Sequence, residues 1–228
     1  MEERNEIQEY ASTFNSAAQA AGYESTDAAL FSGKAAWHGY GAVVEDIENT
    51  EQCLIDSGLD WEVTKEPMGY YKEDPETGDP YFVETDFFGI VRADTGVCFQ
   101  AVGDGYHVFQ NRELFELASE LKEATPDSAF SLGGGRKVVL NMKLGEFGLG
   151  INREDVQQTF GVFTTSHDGT GSLEIRPSSF RPECANMLML ALSSARKKKA
   201  GYVIRHTANM RATAATTIPS RDSGCTRR

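Results

Sequence analysis

Residues 163–206, FTTSHDGTGSLEIRPSSFRPECANMLMLALSSARKKKAGYVIRH, are the stretch that decides the fold. Their pattern predicts a strand, a polar turn, a second strand, a long apolar helix and a short closing strand. The helix begins near Glu183 and is apolar on nearly every side, which predicts a buried helix. Asp168-Gly169 is a strong turn signal, so we interpret His167 as an exposed histidine in a turn.

The chain before this stretch predicts an antiparallel meander. Strand-like runs over residues 87–93 and 97–102 are separated by a three-residue loop that contains Gly96. Asn111 is a candidate N-cap for an amphipathic helix that ends before Pro126. Strands and helices occur in clusters without regular alternation. We therefore predict an α+β fold: an antiparallel sheet of hairpins with one long buried helix and a second amphipathic helix packed on it.

The length of 228 residues fits one domain with appendages. We expect a polar arm or marginal helix over residues 1–30 and a single α+β domain over residues 31–207. Residues 208–228 show no apolar periodicity, which predicts a disordered or truncated tail.

Compartment and membrane association follow from composition. No apolar run reaches the roughly 20 residues that span a bilayer, and the acidic amino terminus does not resemble a signal peptide. The four cysteines, Cys53, Cys98, Cys184 and Cys225, are scattered without short spacings. This pattern is typical of reduced thiols, so we expect a cytoplasmic protein with no membrane partner.

Charge is distributed unevenly along the chain. Residues 1–130 contain 27 Asp/Glu and 7 Lys/Arg, whereas residues 131–228 contain 7 Asp/Glu and 15 Lys/Arg. The second half could supply a basic face for a polyanion. Alternatively, acidic and basic parts complement each other within one monomer or between subunits of a homo-oligomer.

The basic residues cluster around the predicted helix and one glycine-rich loop. Four consecutive cations at the helix end exceed what the helix dipole needs, although a solvated helix end is the alternative. The loop glycines could let a phosphate approach the backbone, but the loop lacks the P-loop spacing, so ATP is not expected. Its alternative is a flexible turn. The candidate nucleic-acid contacts are Arg136, Lys137, Arg176, Arg181, Arg196, Lys197, Lys198, Lys199 and Arg205, with Gly134, Gly135, His167 and His206 as accessory residues.

Enzymatic chemistry has weaker support. No two histidines lie at metal-ligand spacing, so we expect neither a metal nor another cofactor. A pairing of Cys184 with His167 or His206 would be needed for a cysteine-dependent hydrolase, and nothing in the sequence marks that thiol as activated. We predict no catalytic residue.

The chain resembles a phage/plasmid-like family that carries a conserved domain of unknown function. The resemblance covers about residues 33–207. The family looks like a distant relative of RecT/Redβ-type single-strand annealing proteins, which implies a small sheet and a long helix that line a basic groove for DNA. The matching segments are WHGYG at 37–41, GLDWEV at 58–63, RADTG at 92–96, VGDGY at 102–106, QNRE at 110–113, GGR at 134–136, TSHDG at 165–169 and RHT at 205–207.

Sequence and resemblance together lead to one functional hypothesis. We expect sequence-independent binding of single-stranded DNA by an oligomeric recombination or annealing accessory of a phage or plasmid. The alternative is a non-enzymatic protein partner that regulates host or plasmid replication.

Overall fold

The computed structural model describes residues 29–33, 41–149, 155–182 and 185–217. The predicted arm up to residue 28, His38, Cys184 and Cys225 lie outside the described residues.

A seven-stranded mixed sheet is the centre of the fold. Its strand order is β10-β9-β8-β7-β6-β1-β2, and every neighbouring pair is antiparallel except the parallel pair β1–β2. The strands are β1 (Ala29–Ser32), β2 (Ala42–Val44), β6 (Thr125–Leu132), β7 (Lys137–Leu149), β8 (Asp155–Ser166), β9 (Leu173–Ser178) and β10 (Tyr202–Ile204).

A second sheet has three antiparallel strands in the order β3-β4-β5. These strands are β3 (Val63–Glu73), β4 (Pro80–Arg92) and β5 (Cys98–Gly103). Residues 66–87 are exposed apart from the half-buried Asp74 and Val83. Because successive side chains alternate between the two faces of a strand, this part of the hairpin has solvent on both faces.

In the described ranges, four short helices pack around the central sheet: α1 (Thr50–Asp56), α2 (Asn111–Ser119), α3 (Ala185–Lys197) and α4 (Met210–Thr217). Asn49 caps α1 by accepting a hydrogen bond from the Gln52 amide at 2.8 Å. None of the helices among the described residues is both long enough and apolar enough to span a membrane.

The central sheet is buried on both faces. Along β7, Val138 and Leu140 belong to a large core cluster that also contains residues of α1 and α2, whereas Val139 packs in a smaller cluster with Leu188 of α3. Alternation along the strand sends neighbouring side chains to opposite faces, so a continuous apolar run is what a doubly covered strand requires.

The predicted fold class is wrong in its main elements. No long buried helix exists among the described residues: α3 has 13 residues, and Met189 and Leu190 are 56% and 59% exposed. Its buried face is one stripe that includes Leu188 and Leu192, because a helix that covers one face of a sheet needs only one apolar face. The amphipathic helix α2 lies against α1, β7 and β8, on the sheet face opposite α3.

The carboxy-terminal segment also differs from the prediction. Within the expected tail, residues 210–217 form α4, and Met210 and Ala214 are each 2% exposed. These two side chains lie four residues apart and enter the large core cluster. Two buried apolar positions are too few to produce a helical periodicity that can be recognised in the sequence.

Candidate nucleic-acid interface

The end of α3 places three lysines on the surface. The Ala200 amide donates to the Ala195 carbonyl at 2.9 Å, and Lys199 has a left-handed backbone with φ of 53°. This is the Schellman ending of a helix, in which glycine usually occupies the left-handed position. Lys197, Lys198 and Lys199 are all exposed where the chain turns away from the helix.

A buried carboxylate fixes this helix end to the sheet. Glu174 of β9 is 5% exposed and forms ion pairs with Arg176, at 3.1 Å, and with Arg196. Arg176 also donates to the Ala200 carbonyl at 2.5 Å, so it connects β9 to the turn after α3. Burial opposes ionisation of Glu174, but hydrogen bonds from both arginines outweigh it and lower the pKa of the carboxyl. The ion pairs of Arg176 and Arg196 with Glu174 therefore fix the end of α3, which carries the three exposed lysines.

The strand after this turn is the outer edge of the central sheet. Tyr202 lies opposite Ile175 and is 52% exposed, and β10 has a strand neighbour on one side only among the described residues. Arg205 follows directly after the last residue of β10 and is exposed. At about 3.3 Å per residue, Arg205 lies roughly 10 Å along the strand from Tyr202.

We call the exposed residues on either side of and within β10 the basic edge: Lys197, Lys198, Lys199, Tyr202 and Arg205. Its four cations form no ion pair with any carboxylate in the part of the chain that the structure describes. An exposed aromatic ring thus lies between exposed cations at either end of an edge strand.

A shallow groove adjoins the basic edge. It has a volume of about 220 Å³ and lies between α3 and the end of β9. Serine side chains, the half-buried ring of Phe180 and Lys198 line it. Hydroxyls and an ammonium group are suitable donors to phosphate oxygens, and the ring offers an apolar surface.

Lys137 approaches the same end of the sheet from the next strands. It lies opposite Ser166 at the end of β8, and β9 begins at Leu173, which lies opposite Ile204 just before Arg205. The strand register therefore brings Lys137 and Arg205 to one end of the sheet, three strand spacings, or about 15 Å, apart. Lys137 is half-buried and has an interaction of its own.

Arg181 lies elsewhere. Its guanidinium pairs with the buried carboxylate of Asp127 at 2.6 Å and donates to the Ser32 carbonyl at 2.9 Å. It also stacks over the Phe31 ring at 5.7 Å. These partners belong to β6 and β1, several strands away from β10, so Arg181 joins the beginning of the helical segment to the opposite half of the sheet.

The glycine-rich loop packs against side chains of its own chain, at the backbone that the sequence had suggested for a phosphate. Gly135 has φ of 99°, and a Cβ atom there would lie 2.8 Å from Cζ2 of Trp61. The Arg92 guanidinium also lies over the indole, 4.4 Å from the ring centroid, and donates to the Gly134 carbonyl at 3.2 Å. The neighbouring Arg136 donates to the Phe99 carbonyl. The loop therefore packs over a cluster of aromatic side chains that includes Trp61 and Phe99. The sequence pattern of the loop did not indicate this contact.

His167 is fully buried, so its interpretation as an exposed turn residue is wrong. Its Nε2 lies 2.8 Å from Oδ1 of Asn111, whose amide nitrogen donates to the Leu59 carbonyl at 2.9 Å. Because Oδ1 accepts, Nε2 carries the proton. Burial, reinforced by the nearby His206, lowers the pKa of His167 to about 3. The ring is a neutral core group and cannot reach a ligand at the surface.

His206 is also an interior residue, 7% exposed. Its ring stacks on Tyr106 with centroids 5.0 Å apart, and Nδ1 lies 3.0 Å from the His107 carbonyl. Burial lowers the pKa of His206. Both accessory histidines are therefore buried structural groups that do not reach the surface.

Three features of this region were missed by sequence reasoning. Tyr202 could have been found from its position between the basic run of residues 196–199 and Arg205. Glu174 gave no signal, because its partners come from α3. Trp61 is recognisable as a core aromatic, but not as the partner of the loop. In the described part of the chain, no group of three His, Cys, Asp or Glu side chains could hold a metal ion.

The described residues form a sheet-rich protein with one mixed sheet, one antiparallel sheet and a basic outer edge. The chain belongs to the family described as a domain of unknown function (DUF932), whose model matches residues 98–218. The match includes β5 to β10 and α2 to α4, and thus the whole basic edge. No curated protein and no solved structure shows significant similarity to the chain.

Proposed function

We propose that this protein binds single-stranded DNA without sequence preference through the basic edge, as an annealing or recombination accessory of a phage or plasmid. The observation that carries the proposal is the exposed Tyr202 between cations that have no carboxylate partner among the described residues. Proteins that bind single strands combine a positive track for the backbone with aromatic rings on which bases stack. The resemblance to RecT/Redβ-type annealing proteins supports the same function and supplies the phage or plasmid context.

The charge of the basic edge sets the expected salt dependence. Single strands give a slope of log affinity against log salt of about −0.7 per phosphate neutralised. Four cations in contact with phosphates would therefore give a slope of about −3, or a loss of about 50-fold between about 50 mM and 200 mM salt. Arg176 and Arg196 are excluded from this count because Glu174 already pairs with them.

A fluorescently labelled oligo(dT) titrated with the protein at several salt concentrations tests the charge. The variant Lys198→Gln with Arg205→Gln should weaken binding and reduce the slope by about 1.4. The control Lys122→Gln removes an exposed cation outside both the basic edge and the β3–β4 hairpin, and it should keep the wild-type slope. Wild-type binding that is independent of salt, or a slope that the double variant leaves unchanged, would refute the proposal.

Stacking is tested separately from charge. Tyr202→Ala should cost about 1–3 kcal/mol of binding, which is roughly a 5- to 150-fold rise in Kd. Tyr202→Phe retains the ring and should bind nearly as wild type does. Val203→Ala, at a neighbouring exposed position, controls for weakening of the edge strand. If Tyr202→Phe bound as weakly as Tyr202→Ala, stacking would not be the role of this ring.

A non-enzymatic, protein-binding regulator of host or plasmid replication is the second candidate. The exposed aromatic side chains of the β3–β4 hairpin favour it, because exposed rings are typical of protein contacts. The two candidates differ in one outcome: for a protein-binding regulator, neutralising the basic edge leaves oligonucleotide affinity unchanged while a protein contact is lost.

A further inference from the structure

The exposed part of the β3–β4 hairpin, which we call the hairpin arm (residues 66–87), extends without cover from the body. At about 3.3 Å per residue, its strands reach roughly 25 Å beyond the three-stranded part of the sheet. A two-stranded hairpin in water is at best marginally stable by itself. An arm of this length with solvent on both faces is therefore suited to a contact that the monomer does not provide.

Both faces of the hairpin arm carry aromatic rings. Tyr71 lies opposite Phe82, with ring centroids 5.4 Å apart, and they are 74% and 45% exposed. The other face carries Tyr70 and Tyr81, which are 51% and 45% exposed. Gly69 lets the Phe82 ring lie across the backbone, since a Cβ atom at residue 69 would be 2.5 Å from that ring. Such rings are enriched at protein interfaces.

The charge of the hairpin arm identifies what it could contact. Residues 66–87 contain seven Asp/Glu and one Lys. An arm of this charge is repelled by nucleic acid and attracted to a basic surface. Within the described residues, the basic edge is such a surface, and residues 197–205 contain four cations and no carboxylate.

The backbones of the two surfaces are complementary as well. β10 pairs with β9 alone, and β4 pairs with β5 only over residues 87–91, so both present strand edges that are unpaired in the described structure. An unpaired edge can accept a strand from another chain. The aromatic side chains of the arm would then lie beside the exposed Tyr202 and Val203.

We propose that the hairpin arm of one copy docks on the basic edge of a second copy, so that self-association and binding of single-stranded DNA compete for one surface. The contact is head-to-tail, which does not close by itself and grows with protein concentration. The docking stands on the arm and the edge alone, whereas the competition rests on the proposed function. DNA and the acidic arm are alternative polyanions for the same cations.

Sedimentation velocity without DNA tests the docking. The wild-type chain should form species larger than a monomer at about 50 mM salt and dissociate toward monomer at about 200 mM, because the attraction is between charges. An arm variant, Glu73→Lys with Glu84→Lys, should stay monomeric at both salt concentrations. The control Glu116→Lys with Glu120→Lys makes the same charge change at two exposed positions, one in α2 and one directly after it, and should self-associate as wild type does. A wild-type chain that remains monomeric at low salt, or an arm variant that still self-associates, overturns the docking.

A charge-swap experiment identifies the occupant. An edge variant, Lys197→Glu with Lys198→Glu, should be monomeric alone, like the arm variant. A mixture of the two variants should associate, because the reversed arm of one fits the reversed edge of the other. If the mixture stays monomeric while wild type associates, the arm has a different partner surface and the proposal is wrong.

Adding oligo(dT) to associated wild-type protein tests the competition. The oligonucleotide should dissociate the self-associated species as it binds. Oligonucleotide binding that leaves self-association unchanged overturns the shared surface. Self-association without any oligonucleotide binding would retain the docking and refute the proposed function, so the two failures are distinguishable.

Discussion

Acidification should destabilise this protein through His167, at a pH well above the range in which carboxylates protonate. The pKa of His167 is lowered from 6.5 to about 3 in the folded protein, because burial excludes the charged ring. In the unfolded chain the same histidine takes up a proton as the pH falls through about 6.5. The unfolded state therefore binds more protons between these values, and the free energy of unfolding decreases as the pH falls.

The magnitude follows from one proton taken up on unfolding. Each pH unit below the unfolded pKa should lower the free energy of unfolding by about 1.4 kcal/mol. From pH 6.5, where the unfolded histidine is already half protonated, to pH 4.5 the loss is about 2 kcal/mol, a substantial part of the roughly 5–15 kcal/mol that is typical of domains. Burial also lowers the pKa of His206, which adds to the loss in the same direction. The contribution of His167 is complete above its unfolded pKa and disappears as the pH falls toward its folded pKa.

Urea unfolding at four pH values between 4.5 and 7.5 measures the slope. His167→Gln keeps a donor toward Asn111 but does not titrate, so its slope should be smaller than that of wild type by about 1.4 kcal/mol per pH unit. His107→Gln removes an exposed histidine and should keep the wild-type slope. The titrating carboxylates are the same in all three proteins and cancel in the comparison. Equal slopes for wild type and His167→Gln would refute the buried, neutral state of this ring.

Four further substitutions test the contacts of the glycine-rich loop, the ion pairs of Glu174 and the backbone at the end of α3. Gly135→Ala should destabilise the fold by about 2–4 kcal/mol in urea unfolding, because its Cβ would overlap the Trp61 ring at a positive φ; a neutral result would mean that the indole can move away. Glu174→Ala should cost about 3–5 kcal/mol by leaving buried arginine charge uncompensated, whereas Arg196→Ala, whose side chain is 53% exposed, should cost less than about 1 kcal/mol. Lys199→Gly should raise the melting temperature by about 2–4 °C, because glycine adopts the left-handed backbone without strain, and should weaken oligonucleotide binding. A stabilised variant that binds the oligonucleotide as tightly as wild type would contradict a role for this lysine in binding.

Local patterns predicted the order of elements in residues 163–206 well. The strand, turn, strand, helix and closing strand are all present as β8, β9, α3 and β10 with their connections. The hairpin of β4 and β5 was also predicted, with Val91 opposite Cys98 across the expected loop. These features depend on turn residues and on side-chain periodicity, both of which act between neighbours in the chain.

Burial was harder to predict than secondary structure. The apolar sequence of α3 indicated a helix covered on all sides, but the helix packs on one side of the sheet and leaves Met189 and Leu190 exposed. Asn111 was expected as a cap, whereas Gln110 precedes the helix and Asn111 reaches inward to His167. In both cases the environment comes from strands distant in sequence, which no local pattern contains.

The candidate site shows the same division between local and distant information. Most of its cations are recognisable in the sequence as a basic run. Which of them can bind a ligand depends on where the carboxylates lie in the fold, and Glu174 determines this by forming ion pairs with some of the arginines. By pairing with Arg176 and Arg196, it removes two charges from the surface and fixes the turn that presents Lys197, Lys198 and Lys199. The charge of this sequence is thus a poor measure of the charge that a ligand meets. A binding surface in this family is better sought where an exposed edge strand meets cations that no buried carboxylate has already bound.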